Sequence, residues 1–331
     1  MKILSVNNAY QPDKGGFAYR TSRLYERYAE LSHQVTVISP SPSEHSFDKE
    51  YKNKKNITIF RRKSKIEIFK VVQKLKKSNQ LEVIIVHDFL MALITSVFFN
   101  NFFLVYELHS IKLYNSKVFS TLQKMFMRYY LSKKVKVFFV LSNNAKNYLS
   151  SNFGVDSSKI YFTPNGYNAP KKHTLNNHHN KEEFIVGYAG TLHEWQGVLN
   201  LVNQIPNILS IGKNVRIKIV GGGPLFSYIK KYVAEQRLNQ KITLTGYLKP
   251  CLYQDQIKSF DVFVIPREKN LITDTAIPLK IFDAIENNIP IIMSDAGGLI
   301  EVLDEESAFI YNSKKQDMIT AYCKKIYGNY S

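Results

Sequence analysis

The sequence predicts an α/β protein built from two domains, each with a parallel β-sheet. Short apolar runs, typical of buried strands, alternate along the chain with segments whose apolar residues recur at helical spacing. The chain has 331 residues, 44% of them hydrophobic, which is enough for two packed domains of ordinary size. We place the first domain at residues 1–167, a linker at 168–183 and the second domain at 184–331.

The first predicted domain begins with a strand, a glycine loop and a helix. Gly15 and Gly16 follow the strand Lys2–Asn7 and precede a helix from Phe17 to Leu31. They allow the backbone to approach a ligand closely, although a simple tight turn is the alternative interpretation. Further strands are predicted over 34–39, 57–60, 83–86, 102–108, 135–141 and 160–162.

Two histidines follow predicted core strands. The strand 83–86 ends at His87, and the strand 102–108 ends at His109. Ligands in doubly wound sheets bind at the carboxyl ends of strands, so both are candidate site residues. The alternative for each is an ordinary histidine at the start of a loop.

Glycine turns follow several strands of the second predicted domain. The strand 184–190 leads into a loop from Gly190 to Val198, and the strand 216–220 leads into Gly221-Gly222-Gly223-Pro224. The strand 242–244 precedes Gly246-Tyr247-Leu248, and the strand 261–265 precedes Pro266-Arg267.

The stretch from Ile277 to Glu301 is the most informative part of the chain. Pro278 favours a first helical turn, and Ile281, Phe282 and Ile285 then lie on one helical face. A buried strand over 289–293 and the pair Gly297-Gly298 follow, and a second helix is predicted from about Leu299. Backbone N–H groups at two helix starts suit a phosphate or a sugar hydroxyl.

This stretch resembles the nucleotide-sugar site of retaining glycosyltransferases with the GT-B fold, in particular glycosyltransferase family 4. The segments P-L-K-I-F-D-A, I-P-I-I-M-S and G-G-L-I-E carry the likeness together. It implies two Rossmann-like domains facing a cleft, with the acceptor on the first and the nucleotide sugar on the second. It also implies that His109 lies near the donor sugar and that Asp283 binds the ribose; both are predicted as catalytic residues. The predicted donor-binding residues are Gly15, Gly16, Gly190, His193, Gly222, Gly246, Tyr247, Leu248, Arg267, Lys280, Ile281 and Asp283.

The sequence departs from the family pattern at three positions. Thr191 and Gln196 stand where the family has an Arg and a Lys that neutralise the diphosphate. We expect His193, Arg267 and Lys280 to replace those cations, with weak diphosphate binding as the alternative. The first of two family glutamates falls at Thr275, beside Asp274, and the second falls at Asp283.

The resemblance implies sugar transfer with retention, and the sequence predicts no metal cofactor. The chain contains no Asp-x-Asp sequence, which a metal-chelating nucleotide-sugar site would need. Charge neutralisation then falls to Lys, Arg and helix starts, and the protein contributes positioning and electrostatic stabilisation.

The net charge of +18 is concentrated in the first half. Residues 1–165 contain 26 Lys and Arg against 11 Asp and Glu, and residues 166–331 contain 19 against 16. The basic run 49–77 predicts attachment to an anionic membrane surface, with a merely solvated basic surface as the alternative. The predicted helix 117–134 mixes cations with aromatic residues; it can lie on a membrane or face the core with a charged rim.

Together with the basic charge, the resemblance to family 4 implies a cytoplasmic enzyme, peripheral on the inner membrane face, that serves cell-surface polysaccharide synthesis such as lipopolysaccharide or capsule. The apolar stretch 89–106 is broken by Asn100-Asn101 and is not predicted to span the membrane. No signal peptide is predicted, Cys251 and Cys323 suggest no disulfide, and no nucleic-acid motif accompanies the basic charge. A non-catalytic GT-B subunit that stabilises a protein partner is the alternative function.

Overall fold

A computed structural model describes residues 1–13, 15–40, 55–62, 66–77, 81–99, 101–166 and 182–329. The chain divides into two compact units, Met1–Asn165 and Gly166–Ser331. Both are Rossmann-like, with a parallel sheet between helices. The predicted linker 168–183 lies outside the described residues except for Glu182 and Glu183. The same holds for residues 49–54 and 63–65 of the predicted basic run.

The first unit contains a seven-stranded sheet in the order β3-β2-β1-β4-β5-β6-β7. Every neighbouring pair is parallel. The order reverses direction at β1, which is the arrangement that leaves a ligand crevice at the carboxyl ends of the strands. The strands are β1 (Lys2–Val6), β2 (Gln34–Pro40), β3 (Ile57–Arg62), β4 (Val83–Val86), β5 (Phe103–Leu108), β6 (Val137–Val140) and β7 (Ile160–Phe162).

Helices connect these strands as the helical spacing predicts. They are α1 (Gly16–Glu30), α2 (Ile66–Lys77), α3 (Phe89–Phe98), α4 (Lys117–Phe126), α5 (Ser132–Lys134) and α6 (Asn143–Phe153). A π-helical turn, Met127–Leu131, joins α4 to α5, so the predicted helix 117–134 is continuous. In α2, Ile68, Val72 and Leu75 are buried while Lys70 and Lys74 are exposed, so the helix is amphipathic.

The second unit contains a six-stranded parallel sheet in the order β10-β9-β8-β11-β12-β13. This order also reverses at the first strand of its unit, β8. The strands are β8 (Phe184–Ala189), β9 (Val215–Val220), β10 (Ile242–Leu244), β11 (Val262–Ile265), β12 (Ile291–Ser294) and β13 (Phe309–Tyr311). Strands β11 and β12 are buried along their whole length because helices cover both faces of the sheet.

Several helices of the second unit differ in their bounds from the sequence prediction. The helix predicted from Pro278 begins at Lys280, and the one predicted from Leu299 begins at Gly297. The last helix begins at Asp317 rather than near Lys314. The helices are α7 (Val198–Leu209), α8 (Phe226–Glu235), α9 (Pro250–Ile257), α10 (Leu271–Asp274), α11 (Lys280–Glu286), α12 (Gly297–Ile300) and α13 (Asp317–Gly328).

Buried apolar side chains fill both faces of the second sheet. One cluster joins Phe184 and Val186 of β8 to α7 and α13. The other joins Phe263 and Ile265 of β11 to α11 and to Ile291 of β12. The glycine loops at the strand ends are therefore held by a rigid, fully packed sheet.

Candidate functional site

Three glycine loops meet at the carboxyl ends of β8, β9 and β10. Gly190 follows β8, Gly221–Gly223 follow β9, and Gly246 lies just beyond β10. The backbone N–H of Gly221 donates to the carbonyl of Gly246 at 3.1 Å, and that of Leu192 donates to the carbonyl of Gly222 at 2.9 Å. The structure thus brings together Gly190, Gly222 and Gly246, which the sequence predicts as donor-binding residues.

The loops approach each other too closely for side chains. Gly221 has a φ of +129°, and a Cβ there would lie 2.0 Å from the carbonyl oxygen of Gly190. A Cβ on Gly222 would lie 2.7 Å from the ring of Tyr247, so this ring packs directly on the backbone of the second loop. Glycine is required at Gly221 by the neighbouring backbone and at Gly222 by the packed ring of Tyr247.

Lys280, the first residue of α11, is buried with its ammonium group beside the Gly190 loop. Its Nζ lies 3.2 Å from the hydroxyl of Tyr188 and 4.3 Å from the centre of the same ring. A Cβ on Gly190 would be only 3.0 Å from this Nζ. Burial lowers the pKa of Lys280 well below its usual value, the cation of Arg267 lowers it further, and Asp283 raises it. Burial and the neighbouring cation thus make the charged form of Lys280 costly unless an anion approaches.

Arg267 is a second buried cation, located just after β11. Its Nη1 donates to the carbonyl of Ala276 at 2.8 Å, and its guanidinium lies 5.5 Å from the ring centre of Trp195. Its Nε is buried without a hydrogen-bond partner among the described residues. Burial lowers the pKa of Arg267 to about 10, so the group stays charged at neutral pH. Together with Lys280 it concentrates positive charge at the strand ends, which suits a phosphate ligand.

Asp283 lies one turn after Lys280 on α11 and is partly buried. Its Oδ2 accepts from the hydroxyl of Tyr253 at 3.1 Å, and its Oδ1 accepts from Nε2 of Gln254 at 3.0 Å. Burial raises the pKa of Asp283, while these two hydrogen bonds lower it. Each oxygen keeps a second lone pair, so the predicted ribose contact stays a prediction.

The other predicted donor-binding residues of this unit differ in what they offer. His193 stacks on Trp195, with ring centroids 6.0 Å apart and an interplanar angle of 20°. Leu248 is partly buried and packs on the apolar core. Ile281 is fully buried in the same core, so only its backbone can reach a ligand.

The positions that depart from the family pattern differ in their surroundings. Gln196 is buried, and its Oε1 has no hydrogen-bond partner among the described residues. The hydroxyl of Thr275 donates to the carbonyl of Leu271, within its own helical turn. Asp274 accepts from the backbone N–H of Gly297 at 2.6 Å. The expectation of a free N–H group at this second helix start is therefore wrong at Gly297, because a carboxylate of the chain already binds it.

The first unit contains a separate polar cluster centred on Glu107 of β5. Its carboxylate is buried. Oε1 lies 3.4 Å from Nε2 of His109, and Oε2 lies 3.8 Å from Nδ1 of His87. Arg20 of α1 places its Nε 3.2 Å from Oε1. The guanidinium of Arg20 also donates to the carbonyl of Thr163 at 3.0 Å and to Oδ1 of Asn165 at 3.1 Å.

Both histidines in this cluster favour the neutral imidazole. Burial lowers the pKa of His87, and Glu107 opposes that effect. Burial lowers the pKa of His109 strongly, and His87 and Arg20 lower it further. Phe17 packs against the two rings at centroid distances of 5.1 and 4.5 Å and shields part of their surface from water. His87, for which an ordinary loop histidine was the alternative, is thus part of the same cluster as His109.

The ligand atoms of His87, Glu107 and His109 all lie within 4.8 Å of one another, close enough to hold a metal ion. The guanidinium of Arg20 is bound to the same carboxylate and would repel such an ion. The arrangement fits an electrostatically balanced Arg–Glu pair between neutral imidazoles better than a metal centre.

Sequence reasoning missed Glu107 and Arg20. The detectable signal for Glu107 was a charged residue inside the apolar run 102–108.

Gly15 and Gly16 lie at the start of α1, after β1, where the sequence places them. Gly15 has a φ of +108° and open space beside it.

Comparisons with known proteins agree with this architecture. Residues 183–329 match the family described as Glycosyl transferases group 1, and residues 14–170 match Glycosyltransferase Family 4. A curated relative, an uncharacterized glycosyltransferase of Methanocaldococcus jannaschii, is 25% identical over 125 residues. That match covers 38% of this chain and 30% of the relative, so the chain aligns with less than a third of that protein.

Solved glycosyltransferase structures share the fold at low sequence identity. Sucrose-phosphate synthase from Thermosynechococcus elongatus aligns with a TM-score of 0.77 at 15% identity, covering 99% of this chain and 90% of that one. HepE from Anabaena, in complex with UDP, aligns with a TM-score of 0.73 at 14% identity, covering 99% of this chain and 90% of that one. The lipopolysaccharide outer core galactosyltransferase WaaB aligns with a TM-score of 0.70 at 15% identity, covering 100% of this chain and 92% of that one.

Proposed function

Because this chain belongs to the glycosyltransferases of group 1 and family 4, we propose that it transfers a sugar from a nucleotide-sugar donor to a saccharide acceptor. The two family matches cover residues 14–170 and 183–329, most of both units. The observation that carries the proposal is the pair of buried cations, Arg267 and Lys280, at the glycine loops of the second sheet. Buried charges normally have an opposite charge nearby. Among the described residues no carboxylate lies within ion-pair distance of either group, and a diphosphate would supply the missing charge.

In this proposal the diphosphate lies against the Gly190 loop. Lys280 would donate to a phosphate oxygen, and the neighbouring cation of Arg267 would add positive charge. The nucleobase would lie along Gly246, Tyr247 and Leu248, where backbone groups can hydrogen-bond its edge. Asp283 would accept from a ribose hydroxyl through its remaining lone pairs. HepE, a structural neighbour, has been solved with UDP, which makes UDP the first nucleotide to test.

The proposed reaction exchanges one C–O bond for another with retention at the anomeric carbon. The bond from that carbon to the diphosphate oxygen breaks, and a bond to the acceptor hydroxyl oxygen forms. The acceptor proton passes to the departing phosphate. Lys280 and Arg267 stabilise the negative charge that grows on that phosphate, so no resident metal ion is required.

His109 is the proposed donor-sugar residue of the first unit. Its imidazole is neutral, so it can accept from or donate to a sugar hydroxyl without carrying charge. Its Nε2 lies 3.4 Å from Oε1 of Glu107, and Phe17 packs on its ring. Gly15 and Gly16 offer exposed backbone at the start of α1 for the same ligand or for the acceptor.

We propose a glycan or lipid-linked saccharide as the acceptor, at the inner face of the cell membrane, in cell-surface polysaccharide synthesis. The strongly basic first half supports an anionic surface as its neighbour. Arg61 of the basic run is an exception, because its guanidinium donates to the carbonyls of Pro40, Tyr10 and Gln11 and so braces the loop after β1. In the described part of the chain, no helix combines the length and apolar character needed to cross a bilayer.

A donor screen tests this proposal. The purified protein is incubated with UDP-, GDP-, ADP- and TDP-sugars and a membrane lipid extract, and nucleotide release is measured with and without a chelator. We expect release from one donor class that the chelator does not reduce and that Lys280→Met removes. Release that requires an added divalent ion would contradict the metal-free mechanism.

The second candidate function is a non-catalytic subunit that stabilises a partner glycosyltransferase. Gln196 favours it, because a neutral amide occupies the place of a family lysine and is buried with an unpaired oxygen. A folded protein that binds no nucleoside diphosphate and releases no nucleotide would support this alternative.

A further inference from the structure

The helix formed by α4, the π-turn and α5 has an apolar face that the protein does not cover. One side of this helix packs on the domain, where Gln123, Met127 and Leu131 are buried. The opposite side carries large apolar side chains whose exposed fractions range from 42% to 67%. We call these six residues the outward face: Val118, Phe119, Leu122, Met125, Phe126 and Tyr129.

The outward face is one continuous surface. Positions 118, 122, 125 and 129 follow the helical spacing i, i+4, i+7 and i+11, and positions 119 and 126 flank that row. Gln123 binds the preceding loop, since its Oε1 accepts from the N–H of Tyr114 and its Nε2 donates to the carbonyl of Lys112. Exposed Tyr114 then packs edge-on against Phe119, with ring centroids 6.4 Å apart. A monomeric protein rarely exposes so many adjacent large apolar side chains without a binding role.

Charge identifies the kind of partner. Between Leu108 and Val155 the chain contains no Asp or Glu, and it contains eight Lys and Arg. Arg128 lies over the ring of exposed Tyr129 at 5.9 Å, which places a cation at the edge of the outward face. An anionic lipid bilayer fits a surface with exposed apolar side chains and only positive charge. Its acyl chains can contact the apolar side chains, and its negatively charged headgroups can contact the cations.

We propose that this helix inserts its outward face into the headgroup boundary of an anionic bilayer and lies parallel to the membrane plane. The sequence left open whether the helix faces a membrane or the core, and the observed exposure favours the membrane. The inference deepens the proposed membrane location and rests on that part of the proposed function. It requires no particular donor or acceptor, so binding to vesicles tests it separately from sugar transfer.

Vesicle flotation with the full chain tests the proposal. Phosphatidylcholine vesicles containing phosphatidylglycerol are compared with phosphatidylcholine alone, at low salt and at high salt. We expect binding to the anionic vesicles and at least a tenfold loss of affinity in the double variant Phe119→Ser with Phe126→Ser. Each of the cations Lys117 and Lys124 should contribute about fivefold, measured as Lys→Gln.

The matched control removes equally exposed apolar groups from the second unit. Tyr228 and Leu252 have exposed fractions of 58% and 49%. The double variant Tyr228→Ser with Leu252→Ser should bind vesicles like the unchanged protein. Thermal unfolding verifies that both double variants remain folded, and UDP affinity should be unchanged in both.

A fluorescent probe reports insertion directly. Phe119→Trp should shift its emission to shorter wavelength on anionic vesicles, and brominated acyl chains should quench it. Trp195, the one native tryptophan, supplies the background to subtract.

Three results would overturn the proposal. The outward-face variant could bind vesicles as tightly as the unchanged protein, or the unchanged protein could ignore anionic vesicles at low salt. Alternatively, light scattering could show a dimer that the outward-face variant dissociates while vesicle binding is absent, which would identify a second copy of the chain as the partner. Vesicle binding without any binding of nucleoside diphosphates would instead contradict the proposed transferase and leave this inference standing.

Discussion

Replacing Lys280 with methionine should make the protein more stable and strongly weaken its proposed ligand binding. The ammonium is buried, and its one hydrogen-bond partner among the described residues is the hydroxyl of Tyr188 at 3.2 Å. The neighbouring cation of Arg267 makes the charged form still less favourable. Methionine has a similar length and no charge to desolvate, so the site loses an electrostatic penalty while keeping its packing.

The size of the two effects follows from the surroundings. Replacing a buried charge with an apolar side chain stabilises proteins by about 1–4 kcal/mol. The lost contact of Lys280 with the face of the Tyr188 ring offsets up to about 2 kcal/mol of that gain. We expect the free energy of unfolding to rise by about 1–2 kcal/mol. Loss of a buried cation from a diphosphate site should weaken binding by about 3 kcal/mol, roughly 150-fold.

Urea unfolding at neutral pH and calorimetric titration with UDP, GDP and ADP measure these two quantities. Lys230→Met on the exposed side of α8 is the control, and it should change neither. Unchanged nucleotide affinity in Lys280→Met would refute the assignment of the anion site. A variant less stable than the unchanged protein by more than about 1 kcal/mol would refute the reasoning about burial.

The remaining predictions concern pH and loop packing. Burial depresses the pKa of Lys280, so nucleotide affinity should fall as pH rises from neutral to about 9. In this range the protein should take up protons when the nucleotide binds. Calorimetric titrations in buffers of different ionisation enthalpy measure that proton uptake. The pKa of His109 is depressed in the folded protein, so below about pH 6.5 the unfolded chain binds more protons than the folded one. The free energy of unfolding should therefore fall as pH drops through that range, by up to about 1.4 kcal/mol per pH unit. The decline should be shallower in His109→Gln, and an identical decline would contradict the depressed pKa. Gly221→Ala should lower stability by about 3 kcal/mol because its Cβ meets a carbonyl oxygen, while Gly328→Ala at an open position should not, with thermal unfolding as the readout.

The sheets and glycine loops were predictable from the sequence because their signals are local. Apolar runs specify the strands, and a Gly pair or triplet after a strand specifies a turn that admits no side chain. Gly190, Gly222 and Gly246 are therefore found together at the strand ends, as the resemblance to family 4 implies. The errors at helix starts, such as Lys280 in place of Pro278, reflect the weak propensity signal of a helix of only seven residues.

The polar cluster of the first unit could not be predicted in this way. Arg20 and Glu107 are 87 positions apart, and their ion pair forms only when α1 packs over β5. The exposure of the outward face is a similar case. Its residues have the composition of a core helix, and only the tertiary structure shows that Gln123, Met127 and Leu131 occupy the buried side instead.

The most direct test of the proposed diphosphate site at Lys280 is a crystal structure of the protein with a bound nucleoside diphosphate. The quantity to measure is the distance from Nζ of Lys280 to the nearest phosphate oxygen. We expect a charge-assisted hydrogen bond of about 2.7–3.2 Å, with the diphosphate against Gly190. A diphosphate bound elsewhere, with Lys280 still in contact only with Tyr188, would contradict it.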